Sequence, residues 1–174
     1  SSRRTLQFQM QYPNCTVHPI RGNVLTRLEK LDRGEYGALI LAEAGLQRLG
    51  LEHRITRRFS PAEIVPAAGQ GILAVQGRAG EYTALLQRLN DPQAAFCAKI
   101  ERAVSKALNG DCTAPIGAYA DLQGENVTLY GFYAEDGIGI KSTLTGSVTQ
   151  AGSLANTFAE QLKQQVQEKK EAML

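Results

Sequence analysis

Three cysteines, two histidines and a set of arginines hold most of the reactive chemistry in this 174-residue chain. Cys112 sits in "ALNGDCTAPIGAYA" (residues 107–120), two residues beyond a glycine that reads as a helix stop and just ahead of a proline and an apolar run. A thiol in that place can be a packed filler, a metal ligand, a nucleophile or an attachment point. The helix C-terminus before it and the carboxylate of Asp111 beside it both oppose a thiolate. Its neighbours therefore do not build an activated nucleophile. Spacing alone favours a packed thiol, and a chemical role would need an electrophile brought by a partner. The cysteines (Cys15, Cys97, Cys112) are odd in number, widely spaced and without a C-x-x-C pair, which argues against a disulfide framework and against a zinc site. No metal is expected, and reduced thiols fit a cytoplasmic location. Neither His18 nor His53 has a carboxylate at ligand-like spacing, so both read as structural or surface residues.

The arginines carry a different chemistry. Arg3 and Arg4 are adjacent, Arg21 precedes Asn23, and Arg27 follows one turn later. Asn23 is a natural N-cap, and a helix N-terminus attracts anions through its free amides and dipole. Guanidinium groups flanking it would add two-pronged pairing with carboxylates. Taken alone, solvated surface arginines are the larger share of the expectation, and Arg54, Arg57 and Arg58 read as such a cluster. A net charge of +2 and aromatics that do not alternate with basic residues leave little for nucleic acid. "GQGILA" (residues 69–74) fits a degenerate dinucleotide fingerprint, but that fingerprint requires a helix after it and a strand-like run follows. It reads instead as a glycine-rich turn displaying Gln70.

These residues need elements to hold them. A composition of 43% hydrophobic and 21% charged residues is ordinary for a globular protein. The apolar runs are too short to span a bilayer, and the N-terminus has no secretory-signal pattern and no initiator methionine. Residues 1–11 read as a short helix with Leu6 and Met10 on its apolar side, and residues 15–20 as a strand. Leu28 and Leu31 follow at helical spacing up to a stop at Gly34. Residues 36–45 read as a buried strand, and 46–50 as a helical turn. This is the alternation of an α/β layer. Residues 60–78, rich in proline and glycine, read as a crossover containing a strand-like "GILAVQ". A helix at 81–89 comes next. Asp91–Pro92 then opens another, with Phe96, Ile100, Val104 and Leu108 on one stripe. Strands at 116–122, 127–133 and 138–144 form a meander, and a last helix has Leu154, Phe158, Leu162 and Val166 in line with a fraying tail. The second half thus reads as α+β, with helices on one face of an antiparallel sheet.

Four stretches, in order, resemble one family. "SSRR" (residues 1–4) is similar to an S-L-R-R segment, with Ser2 for leucine. "IRGNVLTRLEKLDRGEYGALILAEAGLQRLG" (20–50), "PAAGQGILAVQGR" (66–78) and "ERAVSKALNGDCTAPIGAYA" (101–120) complete the match. The chain resembles porphobilinogen deaminase, or hydroxymethylbilane synthase. The resemblance implies that Cys112 attaches a dipyrromethane cofactor through a thioether, which needs no strongly activated thiol. It implies head-to-tail condensation of porphobilinogen with release of ammonia. It also implies that Arg3, Arg4, Arg21 and Arg27 bind acetate and propionate arms, with Ser1 in the same pocket and Gln70 beside the cleft. Asp111 departs from the usual glycine, and Gln76–Gly77 from the usual acidic residue and cysteine or valine.

The resemblance further implies a C-terminal part of a longer, monomeric enzyme. On that expectation residues 1–65 are most of a second, periplasmic-binding-protein-like α/β domain. Residues 66–79 are a crossover strand belonging to the first domain, and residues 80–174 are an α+β domain carrying Cys112. No catalytic residue is expected within these residues, since the aspartate that steers protonation in the family precedes them. The part alone is expected to be inactive, to lack an assembled cofactor, and to self-associate through the crossover strand. Neither nucleic acid nor membrane is an expected partner. A non-catalytic anion-binding module is the alternative.

Overall fold

The computed structural model describes residues 1–110 and 114–173. Its densest part is built on a three-stranded antiparallel meander: β1 (Ile116–Gln123), β2 (Asn126–Glu135) and β3 (Ile138–Ser147), in that spatial order. Alternation sends Ile116, Ala118, Ala120, Val127 and Leu129 to one face. Two helices cover that face, α5 (Pro92–Ala107) and α6 (Ala151–Glu171). The stripes read from the sequence are the ones buried: Ile100, Val104 and Leu108 from the first helix, Phe158, Leu162 and Val166 from the second. Gly131 lets α6 come close, because a Cβ there would lie 2.6 Å from Phe158. The carboxylate of Asp91 caps α5 by accepting from the Gln93 and Ala94 amides, with Pro92 in the first turn.

Three details of this half differ from expectation. The stop of α5 is Asn109, in the left-handed region at φ 55°, with its amide bonded to the Lys106 carbonyl and that of Gly110 to Ser105. Gly110 is small for want of room, since a Cβ would sit 2.7 Å from Ile116. The tail of α6 stays helical to Glu171. There Lys170 joins Glu135 and Asp136 at the β2–β3 turn, and Lys169 donates to the Gly139 carbonyl at 3.1 Å.

The second face of the sheet is also covered, by residues from the first half of the chain. Val65 is 1% exposed and packs with Phe132 and Ala134, joined by Leu6, Tyr119 and Tyr130. A strap of residues 63–70 lies over this face, reached from β3 at Glu63 and meeting the outer edge of β1 at Pro66. The Ala118 amide donates to the Pro66 carbonyl at 3.0 Å, and Lys141 Nζ to the Glu63 carbonyl at 2.8 Å. A Cβ on Gly117 would lie 2.9 Å from the Val65 oxygen. An exposed strand edge invites foreign pairing, and here the strap occupies part of it.

Residues 1–91 contain helices but, among the described residues, no strand. Helix α1 (Ser2–Gln11), α2 (Val24–Asp32), α3 (Glu43–Gln47) and α4 (Thr83–Leu89) are present. The segments expected as strands at 15–20, 36–45 and 71–76 form no ladder. Strand propensity reports how a segment fits a neighbour on a pleated surface, and no described segment pairs with these in a backbone ladder. The helical turn expected at 46–50 starts earlier, at Glu43. Helix α1 departs in part from its expected polarity: Leu6 packs against the sheet as expected, but Arg3 and Gln7, four residues apart, are its most buried positions, while Met10 is 45% exposed.

Candidate functional site

The buried polar stripe of α1 builds the site. Gln7, fully buried, bonds the strap twice: its Oε1 accepts from the Val65 amide at 2.7 Å and its Nε2 donates to the Val65 carbonyl at 3.0 Å. Arg3 donates to the same carbonyl at 2.6 Å. The second prong of Arg3 and the guanidinium of Arg4 both donate to one oxygen, Gln70 Oε1, at 3.2 and 3.3 Å. Two like charges are thus held side by side by neutral oxygens. The turn presenting Gln70 depends on Gly69 and Gly71, at φ 72° and 90°, a region that other residues enter at a steric cost. Its backbone closes through Gln70 N to Ala67 O and Ile72 N to Gly69 O.

Electrostatics follow from this packing. Burial, reinforced by the adjacent Arg4 charge, lowers Arg3 from the usual arginine range to about 10. Arg4 is lowered too, by burial first and by the charge of Arg27 second. Among the described residues no carboxylate pairs with Arg3 or Arg4. Arg54, Arg57 and Arg58 differ: they bridge Asp32 at 2.5 Å, Glu63 at 2.7 Å and Glu43 at 2.6 Å. Expected as a solvated cluster, they are surface residues already paired. All five arginines border a cleft of about 600 Å³ whose walls are otherwise mainly apolar, including Phe8, Leu28, Ile40 and Phe59. Its one lining carboxylate among the described residues is Glu43, which Arg58 holds.

The other expected site residues fall as follows. Ser1 caps α1, its hydroxyl accepting from the Arg4 amide at 3.4 Å. Asn23 caps α2 through the Thr26 amide at 2.9 Å. Arg27 folds back to donate to the Gly22 carbonyl at 2.8 Å, yet its charge still reaches Arg4. Arg21 is exposed in the loop before the cap and does not line the cleft. Cys112 and Asp111 lie outside the described residues. Cys15 and Cys97 are free thiols, and burial, followed by the Glu101 charge, raises Cys97.

Two participants escaped the sequence reading. Gln7 was legible only as the residue four after Arg3. Glu101 was hidden within the apolar stripe of α5, next to Ile100 and three before Val104. It is 4% exposed, and its two oxygens accept from the Gly69 amide at 2.7 Å and the Ala120 amide at 2.9 Å.

A positively charged pocket of this kind can take a small, apolar-bodied acid. Residues 1–85 match the family model "Porphobilinogen deaminase, dipyromethane cofactor binding domain", and residues 95–164 match "Porphobilinogen deaminase, C-terminal domain". The chain is 52% identical to the porphobilinogen deaminase of Acetivibrio thermocellus over 93% of its own length and 56% of the relative's. It is 46% identical to that of Alkaliphilus oremlandii over 94% and 55%. For Chromobacterium violaceum the identity is 44%, over 93% and 54%. The chain therefore spans about half the length of these curated relatives. With both of its halves matched and identity this high across nearly all its residues, the chain belongs to the porphobilinogen deaminase family.

Proposed function

We propose that these residues form the acid-binding and cofactor-carrying part of a hydroxymethylbilane synthase. Such an enzyme joins porphobilinogen units head to tail, each new carbon–carbon bond replacing a carbon–nitrogen bond whose nitrogen leaves as ammonia. The observation carrying this reading is the pair Arg3 and Arg4, which no carboxylate among the described residues neutralises. A buried guanidinium without a counter-ion is unfavourable, and an incoming carboxylate relieves it with charge-assisted bonds. A pyrrole with acetate and propionate arms matches an apolar cleft with two cations at its edge. Arg27, whose charge already reaches Arg4, adds to the field that draws the arms in, and Arg21 would meet them from the loop ahead of α2.

The donor set fits the family's dipyrromethane. Cys112 would hold it by a thioether, Arg3 and Arg4 would grip its acid arms, and Gln70 would aim both guanidiniums. That group supplies the pyrrole chain to which substrate is added. The residues described here bind and orient. The only lining carboxylate among them is tied to Arg58, which supports the reading that these 174 residues bind porphobilinogen without condensing it.

The domain assignment is part of the same proposal. Residues 1–65 would be most of a periplasmic-binding-protein-like α/β domain, residues 66–79 a crossover, and residues 80–174 the cofactor-carrying domain. Support comes from α1–α3 being separated by non-helical segments, and from exposed Leu73 and Val75 (74% and 64%) in the crossover. The same segment would drive self-association, which sedimentation velocity tests: a species whose size does not change with concentration contradicts it.

Thermal shift with porphobilinogen tests the site. A ligand bound only by the folded state raises its stability by mass action. The wild-type Tm should rise with ligand, and that of the R3Q/R4Q double variant should stay flat. An equal rise in both would end the proposal. Cys112→Ala in the full-length enzyme separates cofactor attachment from a plain anion-binding module, which would lose nothing.

A further inference from the structure

Glu101 stands outside the acid-binding site yet touches the turn that completes it. It lies on α5, is 4% exposed, and has no described cation beside it. Both oxygens act purely as acceptors for backbone amides. One amide, Ala120, is on the outer edge of β1, two residues from the Ala118 amide that bonds the strap. Glu101 thus takes the place of a neighbouring strand's carbonyl along that edge. The other amide, Gly69, immediately precedes Gln70. From there the contacts run directly to Arg3 and Arg4 through Gln70 Oε1. A buried carboxylate is unfavourable unless its bonds are made, so its retention here asks for a function beyond packing.

We propose that Glu101 is a positioning residue for the acid-binding site. By fixing the Gly69 amide against β1 it sets the turn that presents Gln70 to both guanidiniums. It thereby links the helix–sheet unit to the arginine pair. This rests on the reading that Arg3 and Arg4 receive acid arms. Without Glu101 the Gly69 amide is released, Gln70 loses its fixed direction, and the two arginines separate under their mutual repulsion.

The test is nitrogen-15 NMR on the whole 174-residue chain, first without ligand. In E101Q one of the two amide contacts faces an NH2 group in place of an oxygen. The Gly69 amide should then exchange about tenfold faster, the share of one charge-assisted hydrogen bond. The Gln70 side-chain amide and the Arg3 and Arg4 guanidinium signals should shift, while core amides such as Val104 and Leu129 keep their exchange rates. If E101Q loses its core signals, E101D, which keeps the charge but shortens the reach, provides the same readout. A released Gly69 with unmoved Gln70 and arginine signals overturns the proposal. Titration with porphobilinogen follows. Weaker binding in E101Q and none in R3Q/R4Q supports both readings. Unaltered binding in E101Q with loss in R3Q/R4Q defeats the positioning role alone. Shifted signals in E101Q together with a wild type that ignores porphobilinogen defeat the substrate reading and leave the positioning role standing.

Discussion

The two halves of the molecule are held together by different means. Residues 92–171 close a core on themselves, with Phe158, Leu129 and Leu162 all at 1% exposure or less. In residues 1–91 the buried apolar side chains among the described residues are Leu28, Leu46 and Val65, and the last of these is buried against the other half's sheet. What orders the first half near the site is polar: Gln7, Arg3 and the strap. The dense half supplies a fixed wall, and the sparse half presents charge against it. Binding groups are commonly mounted this way, on segments whose shape a rigid neighbour enforces.

Mutations on the two sides should therefore differ in size and kind. Phe158→Ala empties the centre of the dense half and should cost ~3–5 kcal/mol, measured by urea denaturation; a loss below about 1 kcal/mol would contradict the picture of a self-contained core. Gly131→Ala pushes a methyl into Phe158 and Leu162 and should cost ~1–3 kcal/mol through overpacking, read from the same transition. On the sparse side, Gln7→Leu leaves the Val65 amide without its acceptor and should cost ~1–3 kcal/mol. Its signature is a weakened porphobilinogen response with the α5–α6 core intact.

The pH dependence of Arg3 sharpens the contrast further. Its folded value, about 10, lies below that of the free group. Below 10 both states hold the proton and the burial penalty is fully present. Between 10 and the free group's value the unfolded chain binds more protons, so stability rises with pH there. The difference in stability between wild type and R3Q should move in favour of wild type as pH climbs from 9 to 11, and a constant difference would show that burial does not strain the group. The smallest effect has the opposite sign. Gly152→Ala, in α6 with nothing within 4 Å of the added methyl, should stabilise by ~0.5–1 kcal/mol.

The sequence foretold the dense half closely, because a meander and two amphipathic helices bury their own stripes against one another on one face of the sheet. Asp91–Pro92 and the Phe158–Leu162–Val166 line needed only local rules. The strands at 15–20, 36–45 and 71–76 were misjudged because a strand is a relation between two segments. Helix α1 was read only in part: hydrophobicity places Leu6 inside correctly but also assigns Met10 there, whereas hydrogen bonds to Val65 draw in Arg3 and Gln7. At the site, Arg3, Arg4 and Gln70 came from the resemblance, and the structure brings those three together. Periodicity gave no hint of Glu101, since a carboxylate in an apolar stripe discloses its partners only once the chain has folded.

The shared oxygen of Gln70 has one more consequence. Because it aligns two guanidiniums side by side, an acid bound as proposed would find its partners immobilised and lose little of its binding energy to freezing side chains. Exchanging an amide for a carboxylate as the group between them is a small rearrangement. Each acid arm could then be taken up and let go without refolding the loop that greets it.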